Sequence, residues 1–450
     1  MNLTIAEILT ATQGKLLRGD ASTTVTRIST DSRAIKSGGL FVALVGEKFD
    51  GHNFLEQVCQ KGAVGAVVSR QPHLHPPILI QVEDTLVALG NIASYHRCRF
   101  DLPVIAITGS NGKTTTKDMT SAILAQRFPV FSSEKNYNNQ IGIPSRLLQL
   151  TDAYEIAVLE IGTNYPGEVE RLSQITQPTI GVITNIAAAH LELLGSIQGV
   201  AKEKGALLEH VEVGILNADD PMTPTLAQRL LGQIATFGWR GDADVMADNV
   251  EIDSSGKPSF TLRSGMQNVA RIRLPCLGIH NIYNALAAAC VGILQGLTGS
   301  EIQVGLETYR PAEMRMQPIE HNGFRIINDA YNSNPASLRY ALEFLSNTET
   351  ARRIAILGDM LELGEHSHSL HLKAGQELPT NISLLITVGP HSREIARGAK
   401  GIVKSIISCD TPEAAAQQLR EYAQAGDTVL IKGSRGMKLE QILIENGIKD

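Results

Sequence analysis

Cysteine is scarce and scattered. Cys59, Cys98, Cys276, Cys290 and Cys409 are odd in number and include no CxxC pair, which argues against a disulfide framework and a thiolate zinc site. Aromatic residues make up only 4% of the chain, with one tryptophan in 450 residues, so the interior must be largely aliphatic, which suits strands buried on both faces. Excess positive charge is also missing. Lys and Arg number 40 against 46 Asp and Glu, a net charge of −6, so nothing suggests the basic surface that a nucleic-acid partner would need. No apolar run approaches the ~20 residues that cross a bilayer, and residues 1–10 lack the basic stretch of a signal peptide. The expectation is a soluble, cytoplasmic protein with no nucleic-acid partner and no membrane insertion. No fixed-period repeat or low-complexity segment is evident.

Hydrophobic residues, at 43%, supply enough apolar mass for several cores, and a chain of this length makes two to four domains at roughly 100–200 residues each. Short β-rich runs at 40–44, 63–69 and 78–82 alternate with helical patterns at 53–60 and 85–97. These read as a small mixed α/β domain over residues 1–100, and 98–103 as a linker ending in Pro103. Apolar strands at 104–108, 155–160, 179–184 and 213–217, with helical stretches between them, imply a parallel sheet with right-handed crossovers. Polar-alternating runs at 245–252, 259–263 and 269–274 read as antiparallel, a helix follows at 282–297, and a boundary falls near Pro311. The central domain is therefore placed at 101–312. Strands at 354–357, 384–388 and 428–431 then form a C-terminal Rossmann-like α/β domain over 313–450.

Between the strand 104–108 and a helix starting near Thr115 lies Thr108-Gly109-Ser110-Asn111-Gly112-Lys113-Thr114. Glycines allow a backbone curl that turns N–H groups toward one anion, the helix adds its positive end, and Lys113 can bridge outer phosphates. Thr114 would then hold magnesium. A full phosphate-loop pattern needs a glycine five residues before Gly112, where Ile107 stands, so this is a shortened version. The competing reading is an ordinary glycine-rich strand-to-helix turn. Glu160 closes the strand 155–160, from where a carboxylate can reach a phosphate-bound cation. His190 follows another apolar strand, and ends of strands in one parallel sheet share a crevice. Either residue taken alone could simply be polar and exposed.

Four further stretches complete the pattern: Lys135-Asn136-Tyr137-Asn138-Asn139-Gln140-Ile141-Gly142-Ile143-Pro144, Gly278-Ile279-His280-Asn281-Ile282-Tyr283-Asn284, Asp329-Ala330-Tyr331-Asn332-Ser333-Asn334-Pro335 and Leu357-Gly358-Asp359-Met360-Leu361-Glu362-Leu363-Gly364. With the glycine turn, they make the chain resemble the ATP-dependent Mur ligases along nearly its whole length. The last two stretches resemble the branch of that family that adds a dipeptide.

The resemblance implies a three-domain enzyme of peptidoglycan precursor synthesis: an ADP-forming carboxylate–amine ligase that joins D-alanyl-D-alanine to UDP-N-acetylmuramoyl-tripeptide, with ATP and two magnesium ions. It assigns the nucleotide to Gly109, Ser110, Asn111, Gly112, Lys113, Thr114 and Thr115, and implies catalytic roles for Lys113, His190, Lys204 and Arg315. One magnesium is expected at Thr114 and Glu160, and a second at His190 with a carbamylated lysine. Lys202 and Lys204 both stand in the right segment, on different faces of a helix; spacing from His190 favours Lys204. Asn281 and Asn284, at i and i+3, are implied adenine-side contacts, or else mark a buried helix start. Arg315 would approach the γ-phosphate and Asp329 the ribose, although an Asx-turn also accounts for Asp329. The acceptor's uridine diphosphate is implied at Ser29, Thr30, Asp31, Ser32 and Arg33 and at Asp50, His52 and Asn53, unless these are plain loops. Asn138, Asn139, Asn332 and Asn334 are the remaining substrate candidates. Lys432-Gly433-Ser434-Arg435-Gly436 is either a basic strand exit that meets a carboxylate or phosphate, or a simple turn.

The implied reaction phosphorylates the peptide carboxylate, and the dipeptide amine then displaces phosphate from the acyl phosphate. Two competitors remain. One is a folylpolyglutamate synthetase, which shares the central architecture but takes another acceptor. The other is a nucleotide-gated binding protein without ligase activity.

Overall fold

The computed structural model describes residues 1–73, 76–133 and 137–448; Lys135 and Asn136 of the asparagine-rich motif lie outside the described residues. The fold is α/β with mostly parallel sheets. A five-stranded sheet runs in the order Lys15–Arg18, Ile78–Gln81, Gly65–Val68, Gly39–Val42, Arg27–Ser29. A nine-stranded sheet occupies the middle of the chain, and a six-stranded sheet the last third. Among the described residues no helix is long and apolar enough to cross a membrane.

In the nine-stranded sheet, Val104–Thr108 lies between Ile156–Glu160 and Ile180–Ile183, all parallel. All three strands are buried along their whole length, which explains their unbroken apolar runs. Strand order reverses around Val104–Thr108, so the glycine turn leaves the sheet where a crevice opens between diverging crossovers. The sheet continues through Val213–Asn217 and Gln233–Gly238 to Val245–Ile252. The three polar-alternating runs are antiparallel to one another, as the sequence suggested, and Val245–Ile252 also has a parallel neighbour. It is antiparallel to Pro258–Ser264 but parallel to Gln233–Gly238, through Phe237 opposite Val245. Its polar alternation reports a solvent-facing side, not strand direction.

The six-stranded sheet orders Gln317–His321, Phe324–Asp329, Asp427–Lys432, Arg352–Gly358, Leu384–Val388 and Ser405–Cys409. The first pairing is antiparallel and the others are parallel. Phe324–Asp329 and Asp427–Lys432 run side by side and end with Asp329 opposite Lys432.

One continuous apolar cluster joins the first sheet to the middle one, with Leu40, Val42 and Ile80 packed together with Val104, Ala106 and Leu159. Arg97 stitches the same seam. Its buried guanidinium donates to the carbonyls of Thr176 (3.1 Å), Phe100 (2.8 Å) and Leu102 (3.1 Å). These bonds all go to carbonyls, so Arg97 fixes the path of the 98–103 linker by hydrogen bonding to its backbone.

Candidate active site

The glycine turn is shaped by two close approaches. Gly109 has φ 147°, and a Cβ there would lie 1.9 Å from Thr184 Oγ1; Gly112 has φ 80°, and a Cβ would lie 2.1 Å from Asn284 Oδ1. Only glycine satisfies both the backbone angle and the space. The helix Lys113–Leu124 starts two residues earlier than the sequence suggested, because Gly112 in the left-handed region serves as its N-cap. Gly112→Ala is expected to cost about 1–3 kcal/mol of stability and to weaken nucleotide binding, measured by denaturant unfolding and nucleotide titration.

The turn is braced against the exit of the neighbouring strand. Ser110 N–H donates to the Asn185 carbonyl (2.9 Å), Asn111 N–H to Asn185 Oδ1 (3.1 Å), and Thr184 Oγ1 to the Asn111 carbonyl (2.6 Å). Two N–H groups that the sequence reading assigned to an anion are thus engaged within the protein. The donors suited to an anion are those of the helix's first turn, which have no intrahelical partners.

Around the turn the predicted side chains converge on a cleft of about 600 Å³, lined by Ser110 to Thr115, Glu160, His190, Arg315, Asp329 and Lys432. Thr114 Oγ1 donates to Glu160 Oε2 (2.7 Å) and accepts from Arg315 Nη2 (2.9 Å), while Asn138 Nδ2 donates to Glu160 Oε1 (2.7 Å). Lys113 Nζ folds back to the Gly109 carbonyl (2.9 Å). Burial, reinforced by the nearby Arg315 charge and opposed by Glu160, lowers the Lys113 pKa below the usual lysine value. His190 Nδ1 lies 2.6 Å from Glu362 Oε2.

Lys204 is fully buried, and among the described residues its Nζ has no hydrogen-bond partner. Burying an ammonium without a hydrogen-bond partner is costly, which favours the neutral amine. Burial, with the positive charge of Lys113, drives its pKa well down, against Glu203 and Glu160. Lys202, on the same helix Ile197–Gly205, is exposed.

Arg315 is held from several sides. Its guanidinium stacks over Tyr331 at 4.0 Å. Met314 and Met316 on either side have φ 56° and 50°, a strained pair fixed by hydrogen bonds from Met314 N–H to Gln317 Oε1 (2.9 Å) and from Met316 N–H to Asp329 Oδ1 (3.1 Å). Asp329 Oδ2 pairs with the buried Lys432 at 2.6 Å, so both oxygens of Asp329 already have partners. The Asx-type contact belongs to its neighbour, with Ala330 N–H donating to Asn328 Oδ1 (3.3 Å).

Asn281 and Asn284 are buried in the first turn of the helix His280–Leu294, with Asn284 Nδ2 donating to Asn281 Oδ1 (2.8 Å) and Thr116 Oγ1 donating to Asn284 Oδ1 (3.3 Å). They support Gly112 from below. Asn334 caps the helix Pro335–Asn347 and also donates to Asn111 Oδ1 (2.8 Å), tying the last sheet's unit to the glycine turn. Asn139 and Asn332 line the cleft as well.

The Mur ligase family, catalytic domain profile matches residues 24–106, the Mur ligase middle domain 107–292, and the Mur ligase, glutamate ligase domain 314–435. The chain belongs to the Mur ligase family. It is 36% identical to the UDP-N-acetylmuramoyl-tripeptide--D-alanyl-D-alanine ligase of Bacillus subtilis, covering 98% of this chain and 97% of that one. Its fold superposes on MurF from Acinetobacter baumannii with a TM-score of 0.92 at 33% identity, covering 99% and 98% of the two chains. The MurF ligase from Thermotoga maritima, solved in complex with ADP, gives 0.84 at 26% identity, covering 93% and 96%.

Relative to this Mur ligase's cleft, the amino-terminal candidates lie apart. None of Ser29, Thr30, Asp31, Ser32, Arg33, Asp50, His52 or Asn53 lines it. Asp31 is held at a pKa of about 2 by its bonds from Arg33, whose side chain is 84% exposed. Asp50 caps the short helix Gly51–Phe54, which contains Asn53, and sits 2.6 Å from the buried His52, whose Nε2 accepts from Ser69 N–H (3.1 Å).

Sequence reasoning missed one wall of the cleft. Asp219 accepts from the N–H groups of Trp239 (2.7 Å), Arg240 (2.8 Å) and Gly241 (2.6 Å) and from the Tyr283 hydroxyl (2.9 Å). Asp219, Trp239, Arg240 and Tyr283 all line the cavity. The available signal was position, since Asp219 follows the end of the strand Val213–Asn217 at the crevice side of the sheet.

Proposed function

We propose that this chain is an ATP-dependent ligase that adds D-alanyl-D-alanine to UDP-N-acetylmuramoyl-tripeptide through an acyl phosphate. The observation that carries the reading is the convergence of Lys113, Thr114, Glu160, His190 and Arg315 on one cleft walled by two α/β units. In this scheme residues 1–100 hold the uridine diphosphate end of the acceptor through Ser29 to Arg33 and Asp50 to Asn53. Residues 101–312 hold ATP, and 313–450 present the dipeptide from the side of Asn332 and Lys432.

The acceptor's terminal carboxylate oxygen attacks the γ-phosphorus, a P–O bond forms and ADP leaves. The dipeptide's neutral amine then attacks the acyl carbon, phosphate departs and the nitrogen loses a proton, leaving an amide. Lys113 and the first-turn amides of Lys113–Leu124 hold the transferred phosphoryl, and Arg315 supplies positive charge as negative charge spreads over its oxygens. Contacts between the units exclude water that would hydrolyse the mixed anhydride.

The donor chemistry fits magnesium, since a hydroxyl and a carboxylate, Thr114 and Glu160, face the phosphate position. Among the described residues no three His, Cys, Asp or Glu side chains form a cation site, so an ion beside His190 needs donors from the nucleotide or from a modified Lys204. In its neutral form the buried Lys204 amine suits attack on carbon dioxide, forming an N–C bond and releasing a proton to give an anionic carbamate. Bound magnesium would neutralise phosphate charge.

The test is phosphate release with ATP and each substrate added singly and together. Release that needs both substrates is expected; ATP turnover indifferent to the dipeptide would instead indicate a nucleotide-gated binder.

A further inference from the structure

The stretch 357–364 ends in a charged tip that the phosphate chemistry leaves unused. We infer that Glu362 is a positioning residue: held on a rigid arm of the C-terminal unit, it orients the His190 imidazole of the central unit and so completes the second cation position only when the two units are docked. The inference rests on the ligase reading and adds a residue to it.

The arm is built from several fixed points. Asp359 Oδ1 accepts from Ser392 N–H (2.6 Å), Met360 N–H donates to His371 Nε2 (2.9 Å), and Leu361 N–H donates to Ser434 Oγ (2.9 Å). Met360 and Leu363 are buried, at 0% and 1% exposure. Between these two anchors the chain must turn outward, and Glu362 takes φ 63° while its side chain remains 53% exposed. A half-exposed glutamate gains nothing locally from a left-handed backbone, so the surroundings impose this conformation.

The tip meets a segment that is strained in the same way. His190 has φ 54°, and its Nδ1 lies 2.6 Å from Glu362 Oε2. Backbone contacts run alongside. Glu192 N–H donates to the Glu362 carbonyl (3.1 Å), and His366 Nε2 lies 3.3 Å from the Gly195 carbonyl. Gly364 packs so closely that a Cβ would stand 2.9 Å from Glu192 Cα. Residues 190–195 lead directly into the helix Ile197–Gly205, which carries Lys204. The docking strip therefore holds His190 directly and adjoins the helix that carries Lys204.

The chemistry follows from the imidazole's two nitrogens. A ring that gives Nδ1–H to a carboxylate keeps its Nε2 lone pair for a cation and cannot rotate, and loss of such an outer partner typically costs 10–100-fold in metal affinity or activity. Here the carboxylate comes from a different unit, so docking and ligand geometry become one event.

The experiment uses the full-length enzyme and its Glu362→Ala and Glu362→Gln variants, with Glu365→Ala, a nearby exposed glutamate, as control. Manganese serves as a paramagnetic probe, and its binding to the ADP complex is titrated by electron paramagnetic resonance beside steady-state kinetics. For Glu362→Ala we expect the weaker manganese class to lose about 10–100-fold in affinity. We expect kcat to fall in parallel and to recover at high manganese, with the dipeptide KM little changed. Glu362→Gln, whose amide oxygen still accepts from Nδ1–H, should fall between wild type and Glu362→Ala, and it provides the test if Glu362→Ala fails to fold. Unchanged manganese affinity in a folded variant, or a kcat loss that added metal does not relieve, overturns the inference. Wild-type enzyme that binds manganese and ADP but releases no phosphate with both substrates defeats the ligase reading instead, and leaves the manganese comparison to judge Glu362.

Discussion

Lys204→Ala lowers the rate of amide formation by about 10²–10³-fold or more, the scale on which one preorganised charge in a closed site acts, while Lys202→Ala stays near wild type. The contrast comes from burial. Lys202 is exposed and Lys204 is not, and a lysine whose Nζ has no partner among the described residues is an expensive residue to keep in a core unless it is modified. The pH dependence has a definite sign. Burial lowers the Lys204 pKa, so the neutral amine is present above that depressed value and disappears as pH falls through it. Carbamylation should therefore be lost on the acid side, and carbon dioxide depletion should lower activity in a way that bicarbonate reverses. Short carboxylic acids added to Lys204→Ala should restore part of the rate by supplying the missing anion. Full activity in Lys204→Ala would falsify the assignment and move the test to Lys202.

Arg315→Ala is expected to lower kcat by about 10³-fold, the low end of what an arginine directed at a transferring phosphoryl contributes, with a smaller change in the ATP KM. The structure explains why lysine cannot substitute. The guanidinium sits over the Tyr331 ring and at the same time reaches the Thr114 hydroxyl, and an ammonium lacks both the plane and the fork. Arg315→Lys should therefore recover little of the rate. Tyr331→Ala, which removes the stacking platform, should give an intermediate loss. Rapid-quench measurement of acyl phosphate separates the two steps: if Arg315→Ala forms the intermediate at the wild-type rate, Arg315 does not act on phosphoryl transfer.

Much of the central sheet could be read along the chain. The strands Val104–Thr108, Ile156–Glu160, Ile180–Ile183 and Val213–Asn217 are uninterrupted apolar runs because they are buried on both faces. Gly109 and Gly112 marked the turn because its angles and clearances admit no other residue. Strands with mixed faces or short length were harder to see. Phe324–Asp329 and Ser405–Cys409 carry polar residues within the run, and Val130–Ser132 has only three residues. Asp219 was hidden for another reason: its importance depends on Trp239, Arg240, Gly241 and Tyr283, which come from two distant segments.

Sequence alone determined what depends on neighbours along the chain: strand and helix alternation, the glycine turn, and residue types suited to phosphate and cation chemistry. Tertiary structure decided which of them meet. It buried Lys204 and left Lys202 in solvent, brought Arg315 to Thr114 across 201 positions, and set Glu362 of one unit against His190 of another. Backbone angles and hydrophobic periodicity are local quantities. Contact between side chains far apart in the chain depends on how whole sheets pack, and no short window of residues records that.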